Sequence, residues 1–241
     1  MPESFQRLGA PRGYWIFEFD GNSMVETFRI PGKPEEKQMH MDFATPEFAE
    51  WYEILTNWTN SGPEPDDVPP LTINDLPDTR NVILGSATNL TVNVYAGTRE
   101  HTVEAFFDGG EDATVMTRTQ PGNGEGSFLT LDPYALKRQM SVARHAYEST
   151  SGNDRTSGFE MFRGSTFQGK PKPLEAWGWA DQSMHVWQVP VPTEELGLGV
   201  HTVTVVATDQ YGRAFRETMP FEISEKRPSP YFQTEFFPVT P

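Results

Sequence analysis

The side chains best suited to metal binding or acid–base catalysis are five histidines, and their spacing does not predict a site. None stands near another histidine or a carboxylate at a ligand spacing such as H-E-x-x-H, in which two histidines share one helix face. Three lie in predicted strands or at their starts, where a structural role is usual. We therefore predict no catalytic residue and no metal ligand among the five, which are His40, His101, His145, His185 and His201.

Carboxylates and nucleophiles give an equally weak signal. The turn Asp108–Asp112 gathers three carboxylates suited to calcium, but it lacks the D-x-D-x-D-G spacing of a calcium loop. We interpret it as a hairpin turn with solvated acids. The chain has no cysteine, no G-x-S-x-G elbow and no glycine-rich phosphate loop, and we predict no cofactor. A pair of hydrolase carboxylates is not recognisable from spacing, so an independent hydrolase stays a weaker alternative.

Aromatic side chains offer one binding chemistry that the sequence supports. Trp177 and Trp179 share one face of a predicted strand, with Trp187 nearby, and coplanar indoles can stack on sugar rings. Aromatic residues on a strand face more often belong to the core, because each buries about 150–250 Å². We interpret these residues as core and keep a carbohydrate- or cell-envelope-binding platform as an alternative.

The C-terminal tail places three phenylalanines among prolines, namely Phe232, Phe236 and Phe237. Apolar rings are unfavourable in water when they are grouped on a surface. We therefore expect the tail to dock on this domain or on a partner.

Composition and charge exclude several classes of function. The 241 residues include 34 acidic and 19 basic side chains, for a net charge of -15. This field repels nucleic acids, whose binding needs clustered Lys and Arg. No segment approaches the roughly 20 apolar residues of a membrane span, and the N-terminal residues lack the apolar core of an export signal. The chain by itself therefore predicts no compartment.

Two β-hairpins are the clearest structural elements. In the first, Gly13–Ile30, apolar residues alternate along both strands around an Asp20-Gly21 turn, a strong two-residue hairpin signal. In the second, His201–Ile223, the same alternation surrounds the turn Asp209–Gly212. There Asp can bond its own backbone, and Gly can take the positive φ that reverses the chain.

The spacing of apolar residues and the residues typical of helix starts predict further helices and strands. Thr45 and Pro46 predict a helix start, and apolar residues at helical spacing continue to Trp58. A second helix is predicted to open at Asp132-Pro133. Prolines and acids in the segment 60–80 exclude a helix or a central strand there. Strands are predicted over 38–43, 89–96, 101–107, 113–119 and 177–189.

These elements predict an all-β fold: an Ig-like β-sandwich with an N-terminal β-hairpin unit and two short helices, one of them in an insertion. The predicted organisation is a hairpin unit with a helix (1–60), a Pro-rich acidic connector (61–80), the sandwich (81–224) with a helical insertion at about 121–170, and the aromatic tail (225–241).

Three stretches, GAPRGYWIFEFDGNS, MHVWQVPVP and GVHTVTVVATDQYGRAF, resemble the C-terminal domain of bacterial calcineurin-like phosphoesterases. In that family the metal-dependent phosphoesterase domain precedes a β-rich module with a G-Y-x-x-F-E-F-D-G hairpin and an H-T-x-x-V-x-A-T-D-x-Y-G-R hairpin. The resemblance covers 9–43 and 81–224, is weak through 121–170 and does not extend to the tail.

The resemblance implies a role beside an enzyme. The family's metal motifs, D-x-H, G-D-x-x-D, G-N-H-[DE] and G-H-x-H, do not occur in this sequence, and His201 matches the non-catalytic hairpin. It therefore implies a non-catalytic scaffold or interaction domain whose partner is a phosphoesterase catalytic domain, on the same chain or on a separate one. A glycan is the partner in the alternative reading. Family members are usually periplasmic or secreted, which is the localisation that the resemblance suggests.

Overall fold

Alternating apolar residues form eleven strands in the described part of the chain, with two short helices between them. The structure is a computed structural model that describes residues 10–61, 82–85, 87–119, 132–134 and 185–226. Its strands are β1 (Tyr14–Asp20), β2 (Ser23–Arg29), β3 (Met39–Ala44), β4 (Val82–Leu84), β5 (Asn89–Val94), β6 (Thr102–Phe107), β7 (Thr114–Val115), β8 (Thr117–Arg118), β9 (Val186–Pro190), β10 (Gly199–Thr208) and β11 (Ala214–Ser224), and its helices are α1 (Pro46–Asn60) and α2 (Thr193–Leu196).

Two sheets pack face to face and confirm the predicted all-β sandwich. One has the strand order β4-β11-β10-β6-β7, and the other β3-β5-β9-β8. All neighbours are antiparallel except β4 and β11, which run parallel. Alternate residues of each sheet point inward, as a period of two requires. The resulting core joins residues of β10 such as Val203 and Val205 to residues of β5 such as Leu90 and Val92, all of them fully buried.

Both predicted hairpins are confirmed, and their turns follow the expected chemistry. Between β1 and β2, Gly21 adopts a left-handed φ of 58°. Between β10 and β11, Gly212 has a φ of 79°, and the Asp209 carboxylate accepts the Tyr211 N–H at 2.9 Å. These are positions where an L side chain would be strained.

The predicted first helix is also present as α1. The Thr45 hydroxyl accepts the Phe48 N–H at 3.2 Å, so Thr45 caps the helix as its sequence position indicates. Of the second predicted helix, the structure describes only its start at 132–134, and α2 was not predicted. No helix in the described ranges is long and apolar enough to cross a membrane.

Strand pairing differs from the sequence expectation in two places. The predicted single strand 113–119 is divided into β7, which pairs with β6, and β8, which pairs with β9. Met116 lies between them with its side chain in the core, so the chain passes from one sheet to the other at this residue. In addition, β3 pairs along its length with β5, although the predicted connector separates the two strands in sequence.

Candidate functional site

Three buried polar side chains and the partly buried His40 form a network on the outer face of the four-stranded sheet. His40 of β3 and Asn93 of β5 are direct cross-strand partners. The Asn93 amide donates to Asp132 Oδ2 at 2.6 Å, and its carbonyl lies 2.5 Å from His185 Nδ1. Asp132 Oδ2 also lies 2.8 Å from His40 Nε2. The network therefore ties the start of the inserted segment to three separate strands or strand starts.

Burial and neighbouring charges determine whether Asp132 and His185 are ionised. Burial lowers the pKa of His185 to about 4, against the raising effect of the Asp132 charge. Burial alone would raise the pKa of Asp132, but the charge of His40 and the network's hydrogen bonds outweigh it, so this pKa is lowered. Near neutral pH, Asp132 is thus ionised and His185 is neutral.

Asp132 has a second role that the sequence did anticipate. Its Oδ1 atom accepts the Tyr134 N–H at 3.0 Å, as an N-cap does at the first turn of a helix. The ring of Tyr134 lies 4.8 Å from that of His40, and the Tyr95 hydroxyl lies 3.3 Å from His40 Nδ1. Both ring nitrogens of His40 thus face groups of the protein itself.

The two remaining described histidines are also held by neighbouring residues. His201 Nδ1 lies 2.8 Å from Asp108 Oδ2, and its Nε2 lies 3.1 Å from the Gly197 carbonyl. The hydrogen bond from His201, together with one from the Thr202 N–H, lowers the pKa of Asp108. His101 Nδ1 accepts the Thr98 N–H at 3.1 Å. Asp108, interpreted from the sequence as a solvated turn acid, therefore connects the β6–β7 turn to β10.

The described residues form no metal-binding site. Across the described ranges, no group of three or more His, Asp or Glu side chains is placed to bind a metal ion. His145, the fifth histidine, lies outside those ranges.

Arg213 connects the two hairpins. Its Nε donates to Asp209 Oδ2 at 2.6 Å within its own turn. Its two terminal nitrogens reach β2, where they donate to the Thr27 hydroxyl at 2.7 Å and to the Glu26 carbonyl at 2.8 Å. The planar guanidinium serves both hairpins because its donors form a rigid fork. Sequence reasoning treated this turn as local and missed the contact, although an Asp and an Arg four residues apart across a turn were visible.

The β1–β2 hairpin carries an exposed apolar face. Every residue of β1 is exposed. The register places Trp15, Phe17 and Phe19 on one face, opposite Phe28, Glu26 and Met24 of β2. Phe28 is buried against Tyr95, whereas Phe17 is 50% exposed and Phe19 is 73% exposed. The face therefore begins in a small core and ends in solvent.

Of the six residues predicted to bind a glycan or a partner, the structure describes one, Trp187. Trp187 is a core residue, 3% exposed, and its ring fills the space where a side chain on Gly97 would lie. An exposed platform would therefore have to be formed by Trp177 and Trp179 without it. Those two residues, and the tail residues Phe232, Phe236 and Phe237, lie outside the described ranges, so the platform and the tail contact stay predictions.

Comparison with protein families gives one match. Residues 1–157 match the family described as the C terminal of calcineurin-like phosphoesterase. The chain belongs to this family. The match includes the β1–β2 hairpin and the start of the insertion, and it ends before the β10–β11 hairpin.

Membership places the chain in the C-terminal part of phosphoesterases and not in their catalytic domain. It confirms the predicted resemblance through the first hairpin, and it extends through 121–157, where the resemblance was weak. Comparison with curated proteins and with solved structures finds no match.

Proposed function

We propose that this chain is a non-catalytic accessory module that packs on a calcineurin-like phosphoesterase catalytic domain and positions it. The observation that carries the proposal is the family match, which covers the C-terminal part of such enzymes over residues 1–157. The catalytic domain belongs either to the same parent chain or to a separate one.

The histidines support this role by their contacts. His40, His185 and His201 each have a ring nitrogen within 2.8 Å or less of a carboxylate or amide oxygen, and His101 accepts a backbone N–H. A two-metal phosphoesterase centre needs ligands that converge on ions about 3.5–4 Å apart. In the described ranges these side chains instead connect strands and turns of the sandwich.

Hydrolysis of bis(p-nitrophenyl) phosphate with added Mn²⁺ tests the proposal. The purified 241-residue chain, a separately expressed calcineurin-like phosphoesterase domain from the same genome, and their mixture are compared. We expect no turnover from the chain alone, turnover from the catalytic domain, and a complex of the two whose thermal midpoint or kcat differs from that of the catalytic domain by itself.

The controls separate the module from a contaminant. A mock purification from host cells that do not express the chain carries the same host phosphoesterases, and EDTA removes the metal from both samples. Metal-dependent turnover by the wild-type chain, well above that background, would defeat the proposal. Failure of the chain to form a complex with the catalytic domain would also count against it.

A further inference from the structure

The outer half of the β1–β2 hairpin presents large apolar side chains on one face. Phe17 and Phe19 of β1 point to the same side as Met24 of β2, because directly paired residues of an antiparallel ladder share a face. All three are exposed. Contiguous apolar surface of this kind marks an interaction site far more often than single exposed apolar residues do.

The face is continuous with a core and is held in place at its base. Trp15 stacks beside Phe17 with ring centroids 6.3 Å apart, and it meets Phe28 edge to face at 5.5 Å. Phe28 in turn packs on Tyr95, and Arg213 holds β2 from the other hairpin. Because the strands are already fixed, binding through the outer rings loses little conformational entropy, which favours affinity.

Charge around the face indicates the chemistry of its partner. The hairpin residues 14–29 include three acids, Glu18, Asp20 and Glu26, against one base, Arg29, a net of -2. Arg29 already pairs with Glu35 at 2.6 Å. Glu26 lies on the face itself, where it pairs directly with Phe17. Glu18 and Asp20 alternate with the rings along β1 and are exposed on the opposite side of the hairpin, so their charges act on the face only through space. A second copy would bring another negatively charged hairpin, on a chain of net charge -15, against this one, which is unfavourable.

We propose that this face, formed by Trp15, Phe17, Phe19 and Met24, is the surface on which the calcineurin-like phosphoesterase catalytic domain docks, through an apolar patch with a basic rim. This inference rests on the proposed function. In a family defined as the C-terminal part of such enzymes, the catalytic domain precedes the module, and the β1–β2 hairpin is the module's first described element. The hairpin is thus the described element nearest to that domain along the chain.

Binding of the 241-residue chain to the separately expressed catalytic domain, measured by titration calorimetry, tests the docking face. The double variant F17S/F19S should bind at least about thirtyfold more weakly, because exposed aromatic anchors dominate interfaces. The matched control is L198S/V200S, which removes two apolar side chains that are equally exposed at the start of β10. The control should bind within about threefold of wild type.

The basic rim has its own test. The variant E18K/D20K reverses two exposed charges and keeps the rings. Its association rate should fall at low ionic strength and should approach that of wild type at high salt, because charges close to but outside the contact surface act through space on the encounter step. An association rate that is unchanged at low salt would overturn the charged part of the proposal.

Other outcomes distinguish the two proposals. If wild type binds and F17S/F19S binds equally well, the docking face is wrong and the accessory role stands. If wild type does not bind at all, the accessory role fails. If sedimentation shows a wild-type dimer that F17S/F19S abolishes, the face holds a second copy, which overturns the inference. If binding requires removal of residues 227–241, the chain's own tail occupies the face, with the same consequence.

Discussion

At the scale of single residues, Arg213 shows how a turn residue organises distant parts of the chain. The Asp209 carboxylate accepts three hydrogen bonds, from the backbone N–H groups of Tyr211 and Arg213 and from the Arg213 guanidinium. This orients the guanidinium toward Thr27 and Glu26 of the other hairpin. The β10–β11 turn therefore supports the hairpin that carries the proposed docking face.

We expect Arg213→Ala to lower the free energy of unfolding by about 2–3 kcal/mol, because several charge-assisted hydrogen bonds are lost together. Arg213→Lys should recover only a small part, since an ammonium cannot form the same fork. Urea denaturation measures both. Arg216→Ala, at an exposed position of the same strand, is the control and should stay near wild type. Equal stability of the Arg213 and Arg216 variants would show that the bridge contributes nothing.

A second residue that affects stability is His185, which is buried and uncharged near neutral pH. Its pKa is about 4 in the folded chain against about 6.5 in an unfolded one. Between pH 4 and pH 6.5 the unfolded chain binds a proton at His185 that the folded chain does not bind. The free energy of unfolding is therefore highest above about pH 6.5 and falls progressively as the pH is lowered toward 4.

We expect this group to remove about 3 kcal/mol of stability over that pH range, since one pKa unit corresponds to about 1.4 kcal/mol. His185→Gln keeps a polar partner for Asn93 without the titration, so its stability should depend less steeply on pH. Chemical denaturation at several pH values measures the two slopes. Parallel slopes for wild type and variant would mean that His185 does not titrate in this way.

At the scale of elements, the β1–β2 hairpin depends on close packing at its base. A side-chain carbon on Gly13 would lie 2.2 Å from the Phe28 ring and 2.5 Å from the Arg29 carbonyl. Both atoms belong to the part of β2 that packs on the sandwich. The glycine that precedes Tyr14 in the first hairpin motif is therefore required for close approach and not for a turn.

Gly13→Ala should accordingly destabilise the protein by about 1–3 kcal/mol, the usual cost of overpacking. It should also raise hydrogen exchange in β1 and β2, because the clash separates the hairpin from its base. Gly85→Ala is the matched control, since nothing lies within 4 Å of its added carbon. Loss of stability in both variants alike would contradict a clash specific to position 13, since the entropic effect of a Gly→Ala change is itself stabilising.

At the scale of the whole molecule, charge is the dominant property. With a net charge of -15, the folded chain repels itself more strongly than the expanded unfolded chain does. Local ion pairs such as Lys37 with Glu217 neutralise only a small part of this charge.

We expect the thermal midpoint to rise when NaCl is increased from about 10 mM to about 150 mM, because the screening length falls from about 30 Å to about 8 Å. Circular dichroism melting measures the midpoint, and KCl at the same ionic strength should give the same rise. A midpoint that falls with salt would mean that favourable ion pairs outweigh the net repulsion.

The sequence by itself determined what depends on neighbouring residues. The alternation of the two hairpins, the turn glycines Gly21 and Gly212 and the Thr45 cap are local patterns, and each is present in the structure. The hairpin motif around Tyr14 is one of the three stretches that carried the resemblance, and it lies within the family match that confirms it.

Only the tertiary structure decided which strands pair and which polar residues meet. An alternation of apolar and polar residues indicates that a strand has one buried face, but it does not indicate which strand pairs with it. The pairing of β3 with β5 and the division of 113–119 between two sheets were therefore not predictable. The contacts of Asn93 with Asp132 and of Arg213 with Thr27 join residues 39 and 186 positions apart. Such contacts depend on the fold that brings them together, because no local spacing encodes them.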